Sequence, residues 1–234
     1  MTTKFYDVLI IGTGAAAAAA AQRCRAAERT VAVIDHRPFG GTCALRGCDP
    51  KKVLVGAAEA VDEARRLAGV EVLKGDIAID WAALQRFKRG FTDPVPAQRE
   101  RGFTERGIAS YHGRARFTAP RTVAVEGESL EAAHVIIASG AEPAPLAAAG
   151  SEHLTTSDAF LELDRLPRRI LIVGGGYIGF EFAHVAARAG ADVTVLVRGP
   201  RPLRGFDPDC VDALTARTRD LGVWQAGAPV LAHG

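Results

Sequence analysis

Two cysteines separated by four residues, Cys43 and Cys48, are the side chains of this sequence best suited to redox chemistry. Neighbouring thiols exchange two electrons by opening and closing a disulfide. A regular helix cannot join them directly, because five residues rise about 7.5 Å and rotate about 140°, whereas a disulfide requires α-carbons about 4.4 to 6.8 Å apart. The segment GGTCALRGCDPKK therefore needs a local distortion, which Gly47 and Pro50 are suited to supply.

We expect the cysteine pair to lie at the beginning of a helix, where the helix dipole stabilises thiolates. Two other interpretations of the pair stay open. Zinc binding requires four ligands, and no second close pair of Cys or His is present. Two buried thiols need no chemical role at all. The remaining cysteines, Cys24 and Cys210, lack such a context and are interpreted as packing residues.

The segment before the cysteines, FYDVLIIG to VID, has the order of a strand, a glycine turn, a helix and a second strand. Gly12 permits the tight turn, Gly14 lets the backbone approach a pyrophosphate, and Ala17 permits close packing of helix and strand. Asp35 ends the second strand, where an acid is expected to bind ribose hydroxyls. This pattern predicts a dinucleotide site, and an alanine-rich helix without a ligand is the alternative.

The same order recurs from Leu166 to Arg198, where a second glycine turn follows an apolar strand. Its fingerprint glycines are Gly174, Gly176 and Gly179. A second dinucleotide site is therefore predicted, with Gly190 near the end of its helix.

The second site lacks the acid of the first, because the position equivalent to Asp35 is Val197. Arg198 and Arg204 follow it, and guanidinium groups make forked contacts to phosphate. A 2′-phosphate is therefore favoured over a 2′-hydroxyl, which predicts NADPH rather than NADH. The alternative is a solvated basic loop.

Between the two units, helices are predicted near Lys51–Ala68 and Ala82–Glu105. Three segments, IASYHGRARF, RTVAVEG and EAAHVIIASG, predict a small β-meander ending in a buried strand. The fold class is α/β, with two Rossmann-like dinucleotide-binding domains. We place their boundary near Ser151, giving domains 1–150 and 151–234.

Composition limits the partners of the 234-residue chain. Its net charge is +2 without a block of Lys or Arg, which argues against nucleic acid or an acidic membrane as a partner. No secretory signal and no apolar run of membrane-spanning length is present. We expect a cytoplasmic protein that acts on small molecules. Because cytoplasmic thiols are kept reduced, paired cysteines there need a functional reason.

Taken together, these residues resemble the pyridine-nucleotide disulfide oxidoreductases, the family of glutathione reductase, dihydrolipoamide dehydrogenase and mercuric reductase. Four motifs occur in the family's order: GGTCxxxGCxPxK around Cys43, ASGAEP at Ala138–Pro143, SDAF at Ser157–Phe160 and GGGYIGFE at Gly174–Glu181. The resemblance covers essentially the whole chain. Family members run to roughly twice its length. We therefore interpret it as an N-terminal portion that is catalytically incomplete alone.

The resemblance implies roles for individual residues. Cys43 matches the interchange thiol that attacks the substrate disulfide, and Cys48 matches the charge-transfer thiol beside the flavin. Lys51 matches the lysine near flavin N5, Glu181 matches the acid that pairs with it, and Tyr177 matches the aromatic that covers the nicotinamide pocket.

The resemblance also assigns FAD to the first unit. Implied contacts of FAD, besides those of the glycine fingerprint, are Gly41, Thr42, Ala138, Ser139 and Gly140. The implied reaction passes electrons from NADPH through FAD to the Cys43/Cys48 disulfide and on to a small disulfide substrate, as in glutathione reductase. Alternatives are dihydrolipoamide dehydrogenase or mercuric reductase chemistry, or a nucleotide-binding module without turnover. The full-length protein is expected to be a homodimer.

The sequence departs from the family between and after the cysteines. Arg46 stands where familiar members usually have Val, and Asp49 follows Cys48 directly. A carboxylate there should raise the pKa of Cys48 by like-charge repulsion unless Arg46 or Lys52 offsets it. The family's acid and base His, and its dimer interface, would lie outside this chain.

Overall fold

The computed structural model describes residues 3–146 and 148–227, and their contacts divide them into two units. The first unit comprises the residues up to Lys51 together with Arg89–Leu161. The second comprises Lys52–Lys88 together with the residues from Glu162 onward. This division does not coincide with the predicted boundary near Ser151, and the assignment of two binding domains to 1–150 and 151–234 stays a prediction. Residues 228–234 of the predicted domain 151–234 lie outside the described residues.

The helices and strands follow the alternation that the sequence predicts. In chain order they are β1 (Lys4–Ile11), α1 (Ala15–Ala26), β2 (Val31–Asp35), α2 (Gly41–Arg46), α3 (Cys48–Gly69), α4 (Trp81–Thr92), α5 (Val95–Thr104), β3 (Ala109–His112), β4 (Arg116–Ala119), β5 (Thr122–Val125), β6 (Glu128–Ile137), a 3-10 turn (Ser151–His153), α6 (Ser157–Phe160), β7 (Arg169–Val173), α7 (Tyr177–Arg188), β8 (Asp192–Val197), α8 (Pro208–Asp220) and β9 (Trp224–Gly227).

The first unit is built on a six-stranded sheet in the order β3-β2-β1-β6-β5-β4. β1 pairs in parallel with both β2 and β6. Val8 and Ile10 pack in one core cluster with alanines of α1, while Leu9 packs in the other with Leu130 and Val123. Because successive side chains point to opposite faces, a strand covered on both faces is a continuous apolar run. This arrangement fixes the carboxyl end of β1, where the first glycine turn begins.

The predicted meander is correct in its second and third strands and wrong in its first. β4, β5 and β6 are antiparallel neighbours, and β6 returns to pair with β1. The segment predicted as the first strand is instead two strands divided at Gly113, which has φ +135° and donates its N–H to the Asp35 carbonyl. β3 joins the parallel part of the sheet beside β2. The last strand is buried only in part, chiefly at Leu130 and Ala132.

Two helices occupy the predicted helical region from Ala82 to Glu105. The chain breaks between α4 and α5 at Asp93 and Pro94, since the residue before a proline disfavours helical dihedrals. The other predicted helix lies within α3, which begins three residues earlier than expected, at Cys48.

The second unit contains a three-stranded parallel sheet in the order β7-β8-β9. The β8 valines are buried, and apolar residues of α7 are buried as well. On β7, the side chains of Leu171 and Val173 are 60% and 53% exposed. Gly190 follows α7 with φ +93°, as expected after a helix end. Within the described ranges, no helix is both long and apolar enough to cross a lipid bilayer.

Candidate redox and nucleotide-binding site

The distortion predicted between the cysteines is present as a break between two helices. α2 ends at Arg46, Gly47 has φ −149° and ψ −113°, and α3 begins at Cys48. A β-carbon at Gly47 would lie 3.0 Å from the carbonyl oxygen of Thr42, so the turn is too tight for a larger residue without adjustment. Pro50 lies in the first turn of α3, where a missing backbone N–H costs no helical hydrogen bond. Gly47 is therefore the residue that brings the two cysteines together.

Cys43 and Cys48 are free, exposed thiols that form a hydrogen bond with each other. This hydrogen bond raises the pKa of Cys43, and partial desolvation and the negative charges of Cys48 and Asp49 raise it further. The backbone N–H of Cys48, at the start of α3, lowers the pKa of Cys43 but does not outweigh the other causes. The helix start thus favours the Cys43 thiolate, as expected, although the net shift of the Cys43 pKa is upward. The two thiols nevertheless lie close enough to interact with each other.

Arg46 does not fill the offsetting role beside Asp49 that the sequence allowed. Its Nε lies 3.6 Å from Oδ2 of Asp158, which belongs to α6. Asp49 instead adds its negative charge to the surroundings of Cys43. The expected effect of Asp49 on Cys48 stays a prediction.

The first glycine turn is enclosed by two other segments. A β-carbon at Gly12, which has φ +117°, would lie 2.2 Å from the carbonyl oxygen of Ala138. A β-carbon at Gly41 would lie 2.3 Å from the α-carbon of Gly14. The glycine turn, the cysteine segment and the end of β6 thus approach each other at backbone distance. Ala17 is fully buried behind the turn, as its packing role requires.

A cavity of about 370 Å³ opens beside this turn. Eight residues predicted from the sequence line it: Gly12, Gly14, Asp35, Gly41, Thr42, Ala138, Ser139 and Gly140. Residues that the sequence did not single out for this site also line it, namely His36, Arg37, Arg46, Arg114, Ala141 and Glu142. Three guanidinium groups and a set of closely approaching backbones therefore face one space.

Asp35 has a structural task that the sequence did not predict. Its Oδ2 accepts hydrogen bonds from the backbone N–H of Thr13 at 2.9 Å and from the Thr13 hydroxyl at 2.7 Å. Its Oδ1 accepts the backbone N–H of Arg37 at 3.0 Å. A carboxylate has about four acceptor positions, so these three bonds leave little capacity for a ribose. Thr13 is fully buried, and its place between the fingerprint glycines was the available signal.

The second glycine turn is more open. Gly174 has φ +122° and donates its N–H to the Leu196 carbonyl, while a β-carbon at Gly179 would lie 2.8 Å from the Gly174 carbonyl oxygen. No described atom lies within 4 Å of a β-carbon placed at Gly176. The Gly175 carbonyl accepts the N–H of Leu203, so the loop after β8 closes over one side of the turn.

The arginines of that loop differ in their surroundings. Arg201 forms an ion pair with Asp212 at 2.7 Å and donates to the Pro208 carbonyl. Arg198 and Arg204 are exposed, and in the described part of the chain neither forms an ion pair with a carboxylate. The Arg204 guanidinium lies against the backbone of Gly199. Two guanidinium groups are thus available at the end of β8.

The remaining predicted residues lie on helices α3 and α7. Lys51 is half-buried in the first turn of α3. Tyr177 is the first residue of α7, and Glu181 follows one turn later on the same face. The predicted pairing of Lys51 with Glu181 stays a prediction.

The second unit also contains a partly buried polar network that the sequence did not suggest. Arg188 donates to Asp62 at 2.8 Å and contacts Nδ1 of His184 at 3.1 Å. Nε2 of His184 lies 2.9 Å from the Thr218 hydroxyl, which itself donates to the Leu214 carbonyl. Burial, assisted by the charges of Arg188 and Arg217, lowers the pKa of His184 to about 4. The bond with Arg188 lowers the pKa of Asp62.

Comparison with known proteins places this arrangement in a family. Residues 6–226 match the model of the pyridine nucleotide-disulphide oxidoreductases. The chain belongs to this family. The match explains why a thiol pair and two glycine turns occur together. In the described part of the chain, no cluster of His, Cys, Asp or Glu is arranged to hold a metal ion.

Several relatives are similar over nearly all of this chain. It is 33% identical to glutathione reductase of Burkholderia cepacia, covering 93% of this chain and 49% of the relative. It is 33% identical to dihydrolipoyl dehydrogenase of Bacillus subtilis, covering 92% and 48%, and 31% identical to mercuric reductase of Lysinibacillus sphaericus, covering 93% and 40%. The chain thus spans about half the length of the curated relatives it matches, or somewhat less.

A solved structure is similar as well. The HOCl-induced flavoprotein disulfide reductase RclA of Escherichia coli, in its Cu(II) complex, aligns with a TM-score of 0.83 and 26% identity over 97% of this chain and 49% of that one. The likeness confirms the α/β fold class predicted from the sequence. The family is FAD-dependent, and the first cavity fits this cofactor. Glycine backbones and three guanidinium groups line the cavity, and guanidinium groups bind phosphate. Among the described residues, the buried Nε of one of these groups, that of Arg46, has no hydrogen-bond partner.

Proposed function

We propose that this chain supplies the nucleotide- and thiol-binding part of a disulfide reductase that passes electrons from NADPH through FAD to Cys43 and Cys48. The observation that carries the proposal is the hydrogen-bonded thiol pair on the same short segment that lines the first cavity. A thiol pair placed for packing alone would not be exposed beside a dinucleotide cavity. The final acceptor would be a small disulfide, in the manner of glutathione reductase.

The residues that would hold FAD are those lining the first cavity, with Gly12, Gly14 and Gly41 allowing close approach and Thr42 and Ser139 offering hydroxyl groups. When bound, FAD would accept two electrons as hydride from a nicotinamide and release them to a disulfide. This relay is needed because a disulfide is reduced through thiolate chemistry.

In the proposed reaction, Cys43 and Cys48 reduce the substrate by thiol–disulfide exchange. Reduction of the Cys43–Cys48 disulfide takes two electrons and two protons and yields two thiols. Attack of one thiolate on a substrate disulfide forms a mixed disulfide and expels one half of the substrate as a thiolate. Attack of the second thiolate on the mixed disulfide expels the other half and forms the Cys43–Cys48 disulfide again, and the two expelled thiolates take up protons. Cys43 is exposed to substrate, and its raised pKa means that a base must remove its proton before attack.

The nicotinamide nucleotide would bind at the second glycine turn with its 2′-phosphate on Arg198 and Arg204. Val197 offers no carboxylate to a 2′-hydroxyl, whereas the two guanidinium groups are exposed and not engaged by carboxylates within the described ranges. We therefore propose NADPH as the donor. Tyr177 and Glu181, at the start of α7, would lie on the nicotinamide side. A reducing compartment such as the cytoplasm, and a homodimer of the full-length protein, complete the proposal.

The test is anaerobic reduction of the FAD-loaded chain. We expect NADPH to bleach the flavin absorbance much faster than NADH and to raise the number of titratable thiols by two. Cys43→Ser should still be bleached by NADPH but lose the gain of thiols. Cys210→Ser, which replaces an exposed thiol outside the pair, is the matched control and should behave as the unmodified chain.

Other outcomes would overturn the proposal in defined ways. Nucleotide binding without any flavin binding would indicate a module without turnover. Unchanged thiol counts in the unmodified chain would indicate nicotinamide-dependent flavin reduction without disulfide chemistry. Equal rates with NADPH and NADH would remove the assignment of Arg198 and Arg204, and a faster reaction with NADH would favour dihydrolipoyl dehydrogenase chemistry.

A further inference from the structure

Arg46 has an unusual environment for an arginine at the end of a short helix. Its side chain is 19% exposed, and it lines the first cavity together with Gly12, Gly14 and Thr42. Its Nε is buried without a hydrogen-bond partner among the described residues. The Asp158 oxygen at 3.6 Å is too far for a hydrogen bond. Buried donors are almost always paired, so the protein alone leaves the Arg46 guanidinium incompletely hydrogen-bonded.

The ion pair of Arg46 with Asp158 is shared with a second arginine. The same Oδ2 lies 3.6 Å from Nη1 of Arg37, so one carboxylate oxygen faces two guanidinium groups. Arg37 also pairs with Glu142, but the Glu142 side chain is 79% exposed and its charge is screened by solvent. The lining of the cavity contains three arginines, Arg37, Arg46 and Arg114, and two acids, Asp35 and Glu142, so it carries one more positive than negative side chain.

We propose that Arg46 is an anion-binding residue of the first cavity and that its guanidinium donates to the pyrophosphate of FAD. This inference rests on the proposed function and adds a contact from the cysteine segment itself. Thr42 lies one turn before Arg46 on α2, and both line the cavity. The backbones of Gly12, Gly14 and Gly41 line the same cavity. One short helix thus holds both the phosphate contact and Cys43.

Two other roles of Arg46 make different predictions. Arg46 could serve only to anchor α6 through Asp158. It could also contact the flavin ring, since it lies between the two cysteines in sequence. ADP separates these roles from the proposed one, because it contains the pyrophosphate and lacks the flavin.

The experiment measures FAD binding by the quenching of flavin fluorescence, and ADP binding by competition, with the 234-residue chain. For Arg46→Gln we expect both affinities to fall about tenfold to a hundredfold, as for loss of a charge-assisted hydrogen bond. Arg46→Lys should recover part of the loss. Arg116→Gln, at an exposed arginine of β4 outside the cavity, is the matched control and should change neither affinity.

Asp158→Asn provides the second arm. It removes the carboxylate that competes for both guanidinium groups, so we expect FAD affinity to stay the same or rise. Equal losses of affinity in Arg46→Gln and Asp158→Asn would overturn the proposal in favour of a structural anchor. A loss for FAD without a loss for ADP would overturn it in favour of a flavin contact, and unchanged affinities would also overturn it. Failure of the unmodified chain to bind FAD would instead overturn the proposed function along with it.

Discussion

A β-carbon added at Gly12 would meet the Ala138 carbonyl oxygen at 2.2 Å, whereas one added at Gly174, which has nearly the same φ, would meet no described atom within 4 Å. Both glycines begin a turn between a parallel strand and a helix. The first turn is enclosed by the cysteine segment and the end of β6, while among the described residues the second is covered on one side, by the loop after β8. The glycine fingerprint therefore specifies the turn in both units. The segments that pack around each turn determine how enclosed its binding site is.

The largest difference between the two turns should come from adding one methyl group to each. Gly12→Ala imposes an unfavourable φ and a backbone clash, so we expect it to lower the free energy of unfolding by about 3 kcal/mol or more and to abolish FAD binding. Gly174→Ala imposes only the backbone strain, so we expect a loss of about 1 kcal/mol. Urea denaturation followed by circular dichroism measures both. Equal losses would show that the surroundings of the turn do not matter.

A second contrast lies at the strand ends, where Asp35 holds the first turn and Val197 takes its place in the second. Asp35→Asn keeps the size of the side chain but loses a charged acceptor of three hydrogen bonds, so we expect the ligand-free protein to lose about 2 kcal/mol of stability. Thr13→Val removes the hydroxyl bond to Asp35 and the bond that the hydroxyl accepts from the Gly40 N–H at 3.3 Å, but it keeps the carboxylate and its two backbone bonds, so it should cost less. Asp192→Asn, at an exposed aspartate, is the control. If Asp35→Asn weakened FAD binding without affecting stability, its main role would be to bind ribose.

The second unit should respond to pH through His184. Its pKa is about 4 when folded, below its ordinary value of about 6.5, so the unfolded chain binds the additional proton between these values. Stability should therefore fall as pH decreases from about 6.5 to 4, by about 1 to 2 kcal/mol, because the group is partly exposed to solvent.

Denaturation at pH 7 and pH 5 tests this expectation. His184→Gln should remove much of the difference, whereas His153→Gln, at an exposed histidine, should retain it. The pKa of Asp62 is lowered in the folded protein, so the stability that Asp62 contributes is lost only as the pH falls through this lowered pKa. Asp62 therefore does not account for a loss of stability between pH 7 and pH 5. A difference that persists in His184→Gln would contradict the assignment.

The smallest expected effect concerns the thiol pair of the first unit. Asp49→Asn removes one of the lesser causes that raise the pKa of Cys43, so the pKa should fall and alkylation at neutral pH should become faster. Mass spectrometry of the peptide that contains Cys43 follows the reaction site by site. Glu105→Gln, an exposed acid of the same unit, should leave the rate unchanged. Slower alkylation of Asp49→Asn would be inconsistent with the charge effect.

Local features of both turns could be predicted from sequence because they depend on residues close together in the chain. Gly12, Gly14 and Ala17 were assigned from strand and helix patterns, and the break near Gly47 followed from the geometry of a helix. The four motifs were sufficient to indicate the family. Local patterns thus predict Gly12, Gly14 and Asp35 as binding residues, and the family resemblance implies Gly41, Thr42, Ala138, Ser139 and Gly140; these eight residues line the first cavity.

Contacts between distant segments could not be predicted in this way. The binding of Asp35 to Thr13 depends on a rotamer that a strand pattern does not specify. The approach of Arg46 to Asp158 depends on where α6 packs, and the network of His184, Arg188 and Asp62 joins α7 to α3. In the sequence, each of these contacts is represented only by single polar residues. Such residues are equally common at exposed positions, so the sequence does not reveal the contact. The division of one predicted meander strand at Gly113 was missed for a related reason, because alternation alone does not show where a strand changes partner.

The break at Gly47 has a mechanical consequence. If Cys43 and Cys48 lay in one unbroken helix, a change in the distance between them would require the helix to bend. In this structure Cys43 lies in α2 and Cys48 lies in α3, and the two helices are separated by Gly47. Opening and closing the proposed Cys43–Cys48 disulfide would then require rotation about only a few backbone angles near Gly47. The 22-residue helix that follows would not have to bend during the proposed cycle of oxidation and reduction.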